Sequence, residues 1–263
     1  MGSATTQALA ATTKALDAAS GVDLDVAGEL FAAARAVGDS SQLSGALADS
    51  AASAGARRKV VADVFGPAVG PVTVSLLTTA VEQRWSSASD LVDAIEELAV
   101  RAAAVADPKA DVEDELFRFS RTVAENPELE LALGSRLGDA SAKGTLVENL
   151  LGGRASAAAT LIASSLVLQL RERRARQLLS RATRLVADQR GRKVATVFAA
   201  APLNDAQADR LAAALSERYG VSVSLNTVVD PTVVGGLRVQ IADDVIDASV
   251  SSRLADLRQR LAG

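Results

Sequence analysis

The sequence predicts a mainly α protein with a small α+β C-terminal domain: two tandem short-helix bundles followed by a small mixed sheet with helices. Three observations carry this expectation. Apolar residues make up 49% of the 263 positions but aromatics only 3%, so the interior must be built from Ala, Leu and Val, which favours helices packed closely together. A helical pattern recurs at a fixed spacing through residues 1–190. Beyond Lys193 the apolar period changes from helical to alternating.

The repeat divides the chain before any motif is consulted. Glu29-Leu30-Phe31 returns as Glu115-Leu116-Phe117, 86 positions later, and the same offset carries Leu43 to Leu129 and Leu47 to Leu133. Arg84, Leu91 and Leu98 meet Arg171, Leu178 and Leu185 at an offset of 87, which needs one inserted residue in a loop between helices. The expected domains are residues 1–106, an extra helical bundle; 107–190, the second copy; and 191–263, the small α+β domain.

Turn signals cut each copy into short helices: Gly38-Asp39-Ser40, Gly55, Gly66-Pro67 and Gly70-Pro71 in the first, Asn126-Pro127, Gly138 and Gly152-Gly153 in the second. The stretch from Ser87 to Ala106 has no breaker until Asp107-Pro108, so it is expected to finish the first bundle and start the second. In the last third, Val194, Thr196 and Phe198 alternate with smaller residues, and Asn204 with Gln207 forms a capping box for a helix over 205–219. Gly220 ends that helix. Val221, Val223 and Leu225, then Leu237, Val239 and Ile241, alternate with polar residues as strands do.

Composition excludes several function classes. Without a single histidine or cysteine, the chain lacks the usual general base at neutral pH, every thiol nucleophile and the common zinc ligands. Catalytic residues, metal and cofactor are expected to be none. A net charge of −4 and a pI near 5.1 argue against nucleic acid as a partner. The N-terminus has neither a basic segment nor an apolar one of the secretory kind. The longest uncharged stretch, Ala155 to Leu170, is too short and too rich in Ala, Ser and Thr to span a bilayer, so no direct membrane insertion is expected.

Several local signals have two readings. Gly138 to Thr145 superficially looks like a phosphate-binding loop, but Lys143 precedes the final Gly144 and no strand comes before it, so it reads as an ordinary helix start. Arg171, Arg173, Arg174, Arg176, Arg181 and Arg184 make a basic helix. It is either a solvated face or, through Arg171, Arg173, Arg174 and Arg176, a docking surface for an acidic partner. Trp85 reads as core or inter-copy packing ahead of partner contact. Glu96-Glu97 and Asp243-Asp244 are sequence neighbours whose side chains diverge, so neither makes an acid/base dyad.

The richest segment is Val223 to Leu257. Asp230-Pro231 fixes a turn after a strand, and Gly235-Gly236 permits backbone angles or a close approach that a side chain would block. Asp247 and Ser249 offer oxygen acceptors near a closing helix whose Val250, Leu254, Leu257 and Leu261 form one apolar stripe. With Val223, Leu225, Val229, Val233, Leu237, Val239, Ile246, Arg253 and Leu254, this run resembles the C-terminal signature of the delta subunits of F-type ATP synthases. That family is called oligomycin-sensitivity-conferring protein in mitochondria. Phe198 to Leu203 resembles the family's strand-to-helix segment, and Asp114 to Arg190 is similar to its helical N-terminal domain. The extra first copy resembles an extended, actinobacterial form. Two positions depart from the pattern: Ala242, where the family often has Gly or a small polar residue, and Ala248, where it has Gly.

The resemblance implies a non-catalytic part of the peripheral stalk on the cytoplasmic face of the cell membrane. Its partners would be alpha subunits of the head, gripped by residues 107–190, and b-type stalk subunits, bound by residues 191–263. Candidate stalk contacts are Arg253, Leu257 and Leu261. A free-standing helical scaffold or regulatory interaction protein is the alternative.

Overall fold

The structure is a computed structural model that describes residues 2–135, 139–171, 173–233, 235–241 and 244–249. Two compact units divide the chain, residues 1–186 and 187–263.

The first unit is helical throughout: α1 (Ser3–Ala18), α2 (Leu24–Asp39), α3 (Ser41–Ala48), α4 (Ala54–Phe65), α5 (Pro71–Glu82), α6 (Ala88–Ala106), α7 (Val112–Glu125), α8 (Pro127–Gly134), α9 (Ala140–Leu151), α10 (Ala157–Leu168) and α11 (Ala175–Gln189), which runs on into the second unit. Side-chain caps start most of them. Asp23, Ser40, Ser53, Ser87, Asp111, Asp139 and Ser156 each accept a hydrogen bond from an amide in the first turn. Pro71 and Pro127 occupy first helical positions, where a missing N–H costs nothing. Two expected breaks shift. Gly38 lies inside α2, because the chain turns extended only at Ser40, and Gly55 lies in the first turn of α4, started by the Ser53 cap. Gly138 lies outside the described residues.

The repeat holds at the level of helices, and for three of them it is exact. Helices α3, α4 and α5 begin and end 86 residues before α8, α9 and α10, and α6 begins 87 residues before α11. Moved by 86, α1 falls on α6. Helix α6 is therefore the last helix of one copy and the first of the next. It packs against α1, α2, α3, α5 and α10, and every residue from Ala94 to Ala104 is buried. One continuous apolar core runs through both copies, and Trp85 belongs to it, with its indole N–H donating to the Ala80 carbonyl at 2.8 Å.

The recurring Glu-Leu-Phe has a structural meaning in this frame. The Glu29 carboxylate accepts from the Gly70 amide at 3.0 Å and from the Thr73 hydroxyl, at the start of α5. Eighty-six residues on, the Glu115 carboxylate accepts from the Ser156 amide at 3.0 Å and its hydroxyl at 2.5 Å, at the start of α10. Each glutamate reaches across its bundle to the positive end of a helix. The next two residues of each motif, Leu30-Phe31 and Leu116-Phe117, send at least their leucines into the core.

Among the described residues of the second unit, β1 (Arg192–Ala199), β2 (Ser222–Val229), β3 (Leu237–Ile241) and β4 (Asp244–Asp247) form a sheet of order β2-β1-β3-β4, and α12 (Asp205–Tyr219) packs against it. Strands β1 and β2 run parallel, as a helical crossover requires, while β3 pairs antiparallel with both β1 and β4. Asn204 and Gln207 make the reciprocal capping box, and Gly220 takes the left-handed conformation after α12. Ala195, Val197, Val223, Val239, Ile241 and Leu215 of α12 form the core. Strand β4 is an addition to the sequence expectation.

Replacing Glu115 by Ala strands a partly buried amide and hydroxyl at the start of α10, and Glu29→Ala does the same at α5. Each change is expected to cost about 1–3 kcal/mol in urea unfolding followed by Trp85 fluorescence, with the Gln variants falling in between.

Candidate functional site

The signature residues of the second unit meet at one corner of its sheet. Asp230 follows β2; its amide donates to the Ala199 carbonyl at 2.8 Å, and its carboxylate accepts from the Thr232 amide and hydroxyl at 2.9 and 2.6 Å. Pro231 sits inside that turn. Gly235 and Gly236 follow with φ of 66° and 76°, left-handed values that favour glycine. A Cβ on Gly236 would lie 2.4 Å from the Ala248 carbonyl oxygen, so the second glycine admits a backbone approach no other residue allows. The Ala248 amide returns a bond to the Leu237 carbonyl at 2.9 Å, and the Asp247 carboxylate accepts from the Ser249 amide at 2.9 Å.

Arg238 ties the corner together. It pairs across the ladder with Asp247, lies 3.8 Å from the Asp230 carboxylate, and stacks its guanidinium 4.5 Å from the Phe198 ring centroid. Hydrogen bonds from Thr232 and Ser249 hold the carboxyls of Asp230 and Asp247 below the usual aspartate range, and Arg238 pushes both the same way. Arg253, Leu254, Leu257 and Leu261, with the Val250 stripe and Ala242, lie outside the described residues. Beside the corner, a cleft of about 720 Å3 is lined by Pro202, Leu203, Leu211, Ala214, Gly236 and Leu237.

The arginine run occupies the first unit and is not one helix. Helix α10 stops at Leu168 and α11 begins at Ala175, so Arg171, Arg173 and Arg174 lie in the connection. Arg171 has φ of 47°, a conformation that costs a non-glycine residue on the order of 1 kcal/mol or more. Two carboxylates hold it there: its guanidinium donates to Asp93 and Glu96. Arg173 grips Glu96 with two bonds at 2.9 and 2.8 Å, and Arg181 donates to Glu97 at 3.0 Å. Glu97 also accepts from Arg101 one turn along α6 at 2.9 Å. The adjacent glutamates do diverge, each to its own arginines. Arg176 pairs with Glu130 at 2.9 Å, and Arg174 is exposed.

These placements sort the two readings of the basic run. Arg171, Arg173 and Arg181 join the two copies from within, a role sequence reasoning missed, because Asp93, Glu96 and Glu97 stand more than 70 positions away. Arg174 and Arg176 remain on accessible surface. Arg174 lines a cleft of about 780 Å3 with Pro127, Leu131, Lys143, Leu168 and Leu170, and Leu131 there is 75% exposed. That cleft has the mix of apolar wall and polar rim that receives a partner side chain or helix. Among the described residues no group of acidic side chains is placed to hold a metal ion, and no helix is long and apolar enough to cross a membrane.

Residues 99–261 match the family model for the ATP synthase delta (OSCP) subunit. The match begins inside α6, where the second copy begins, and runs through the α+β unit. A protein of Leifsonia xyli subsp. xyli named ATP synthase subunit delta is 49% identical, and the match covers 100% of both chains. Proteins of the same name from Streptomyces avermitilis and Streptomyces griseus subsp. griseus are 42% and 41% identical, with 98% and 100% of this chain and the same shares of theirs covered. Residues 1–98 thus lie outside the family model's match but within the full-length similarity to these relatives.

Gly236→Ala should cost about 2–3 kcal/mol, from the left-handed φ and the clash with the Ala248 carbonyl together. Gly220→Ala, with a similar φ but open space around it, should cost about 1 kcal/mol; thermal melts compare the two. The depressed aspartates set a pH dependence. Their folded pKa lies below the unfolded value, so their stabilisation is present at neutral pH and is lost as pH falls through the folded pKa. Carboxyl NMR titration should place both midpoints below that of a free aspartate, and Thr232→Ala should raise the Asp230 midpoint while leaving Asp247 in place.

Proposed function

The chain belongs to the ATP synthase delta (OSCP) subunit family, and we propose that it acts as a non-catalytic stator adaptor. In this reading it is part of the peripheral stalk and joins the catalytic head of an F-type ATP synthase to the b-type stalk subunits. It thereby couples proton-driven rotation to ATP synthesis. The observation that carries the reading is the full-length match at 49% identity to a protein named ATP synthase subunit delta.

The second copy, residues 107–190, takes N-terminal helices of alpha subunits. A cleft with exposed Leu131 and a charged rim supports this, because an amphipathic helix binds by inserting its apolar face into such a groove. The α+β domain, residues 191–263, takes the ends of the b-type helices, with Arg253, Leu257 and Leu261 as contacts. The first bundle, residues 1–106, stiffens the connection. An adaptor of this kind needs slow dissociation across several linked interfaces and no reaction chemistry, which suits a chain without histidine or cysteine. Its place is peripheral, on the cytoplasmic face of the membrane, as part of the complex.

The test is affinity purification of the tagged full-length chain from detergent-solubilised membranes of its own host. Alpha and b-type chains should come with it in fixed stoichiometry. Recovery of a folded chain without either would instead identify a free-standing helical scaffold or regulator.

A further inference from the structure

The internal repeat allows one groove to be compared with its own copy. In the first copy, the groove between α2 and α6 is filled by the segment that follows α10. The Gln169 amide donates to the Asp39 carboxylate at 2.6 Å and to the Arg35 carbonyl at 3.5 Å, packed so tightly on Gly38 that a Cβ there would lie 3.0 Å away. Beside it, Arg171, Arg173 and Arg181 settle on Asp93, Glu96 and Glu97 of α6.

The equivalent groove in the second copy lies between α7 and α11 and is a cleft of about 450 Å3. Offsets of 86 and 87 put Arg121 and Ala124 where the first copy has Arg35 and Gly38, Ser180 where it has Asp93, and Arg184 where it has Glu97. Arg174 and Arg176 stand in place of Ser87 and Ser89, and the lining is completed by Ser120 and Gln177 in place of Ala34 and Asp90. The acidic groove has become a basic one. Arg121 and Arg176 are paired with Glu125 and Glu130. Arg174 and Arg184 are exposed and make no ion pair among the described residues. No aromatic side chain lines the cleft, so nothing offers a nucleobase a stacking surface.

We infer that the α7–α11 cleft docks an acidic segment of a partner protein, which lays carboxylates on Arg174 and Arg184 as the segment after α10 lays Arg171 and Arg173 on Asp93 and Glu96. Guanidinium–carboxylate forks give such a contact both its geometry and its selectivity for acidic over basic segments. The inference stands on the repeat and the charge reversal, so it fails separately from the stator reading, which the purification tests.

The probe is a fluorescein-labelled peptide copied from residues 161–174, with Arg171→Glu, Arg173→Glu and Arg174→Glu, titrated with the full-length chain and read by anisotropy. The charge-reversed peptide should bind saturably, the unaltered peptide at least about tenfold more weakly, and the R174E/R184E chain should lose at least about tenfold for the reversed peptide. Raising salt from about 0.05 to 0.3 M should weaken binding further. If R174E/R184E melts early, R174Q/R184Q carries the same comparison. Absent binding, equal binding of both peptides, or undiminished binding by both double variants would overturn the proposal. So would displacement of the peptide by pyrophosphate at concentrations below the peptide's own, which marks a small-anion site.

Discussion

The complete burial of α6 is the constraint on which the rest of the helical unit depends. A helix with no exposed face over three turns must be surrounded on all sides, and a single bundle of short helices covers only part of it. Ala94, Ala99, Ala102, Ala103 and Ala104 let neighbours approach closely, while Leu91, Ile95 and Leu98 fill the space between them. The second copy supplies the missing cover through α10. The duplication is thus more than repetition, since the helix that closes the first bundle opens the second and neither copy's core is complete without it.

Burial of α6 also dictates the ion pairs. Glu96, Glu97 and Arg101 are each less than 9% exposed, and a buried charge without a partner costs several kcal/mol. Arg101 answers Glu97 locally, but Glu96 has no basic neighbour on its own helix within one turn and takes Arg171 and Arg173. Such a network adds little to stability over an apolar core of the same shape. Its effect is on register, because sliding the second copy along α6 would leave carboxylates and guanidiniums unmatched together. The strained backbone of Arg171 is consistent with that, since a locally unfavourable φ persists only where several contacts over-determine it.

The architecture was legible in the sequence wherever the signal was local or periodic. The 86-residue offset, the Asn204 capping box, the alternation of β3 and the Gly235-Gly236 pair each follow from spacing or backbone sterics, and so does the unbroken α6. In β1 the alternation is present, but the smaller residues Ala195, Val197 and Ala199 face the core rather than Val194, Thr196 and Phe198. Partnerships between distant residues were not legible. A run of arginines from 171 to 184 gives no sign of which members meet Asp93 or Glu96, and a helix reading of the run overlooked that Leu168 to Arg174 must turn. Glu29 and Glu115 were visible as a repeat and silent as caps, because their targets sit 41 residues on. Strand β4 escaped because Asp244, Val245 and Asp247 are exposed and Ile246 alone of its four residues packs against the core, which leaves no apolar alternation to read.

A shared helix suits the proposed stator role for a mechanical reason. Two bundles joined by a flexible linker would let an applied torque reorient one against the other at the cost of a few backbone rotations. Here the junction is the interior of a continuous nineteen-residue helix, and bending it would break main-chain hydrogen bonds and expose α6 to water at once. Load entering either copy is therefore carried through packed side chains into the other. The two copies can then specialise without loosening. Arg35 beside Asp39 is desolvated, which lowers its pKa, whereas the same pair in the second copy, Arg121 with Glu125, stays at the surface. One groove is consumed in building the rigid body, and its counterpart is left to meet another chain.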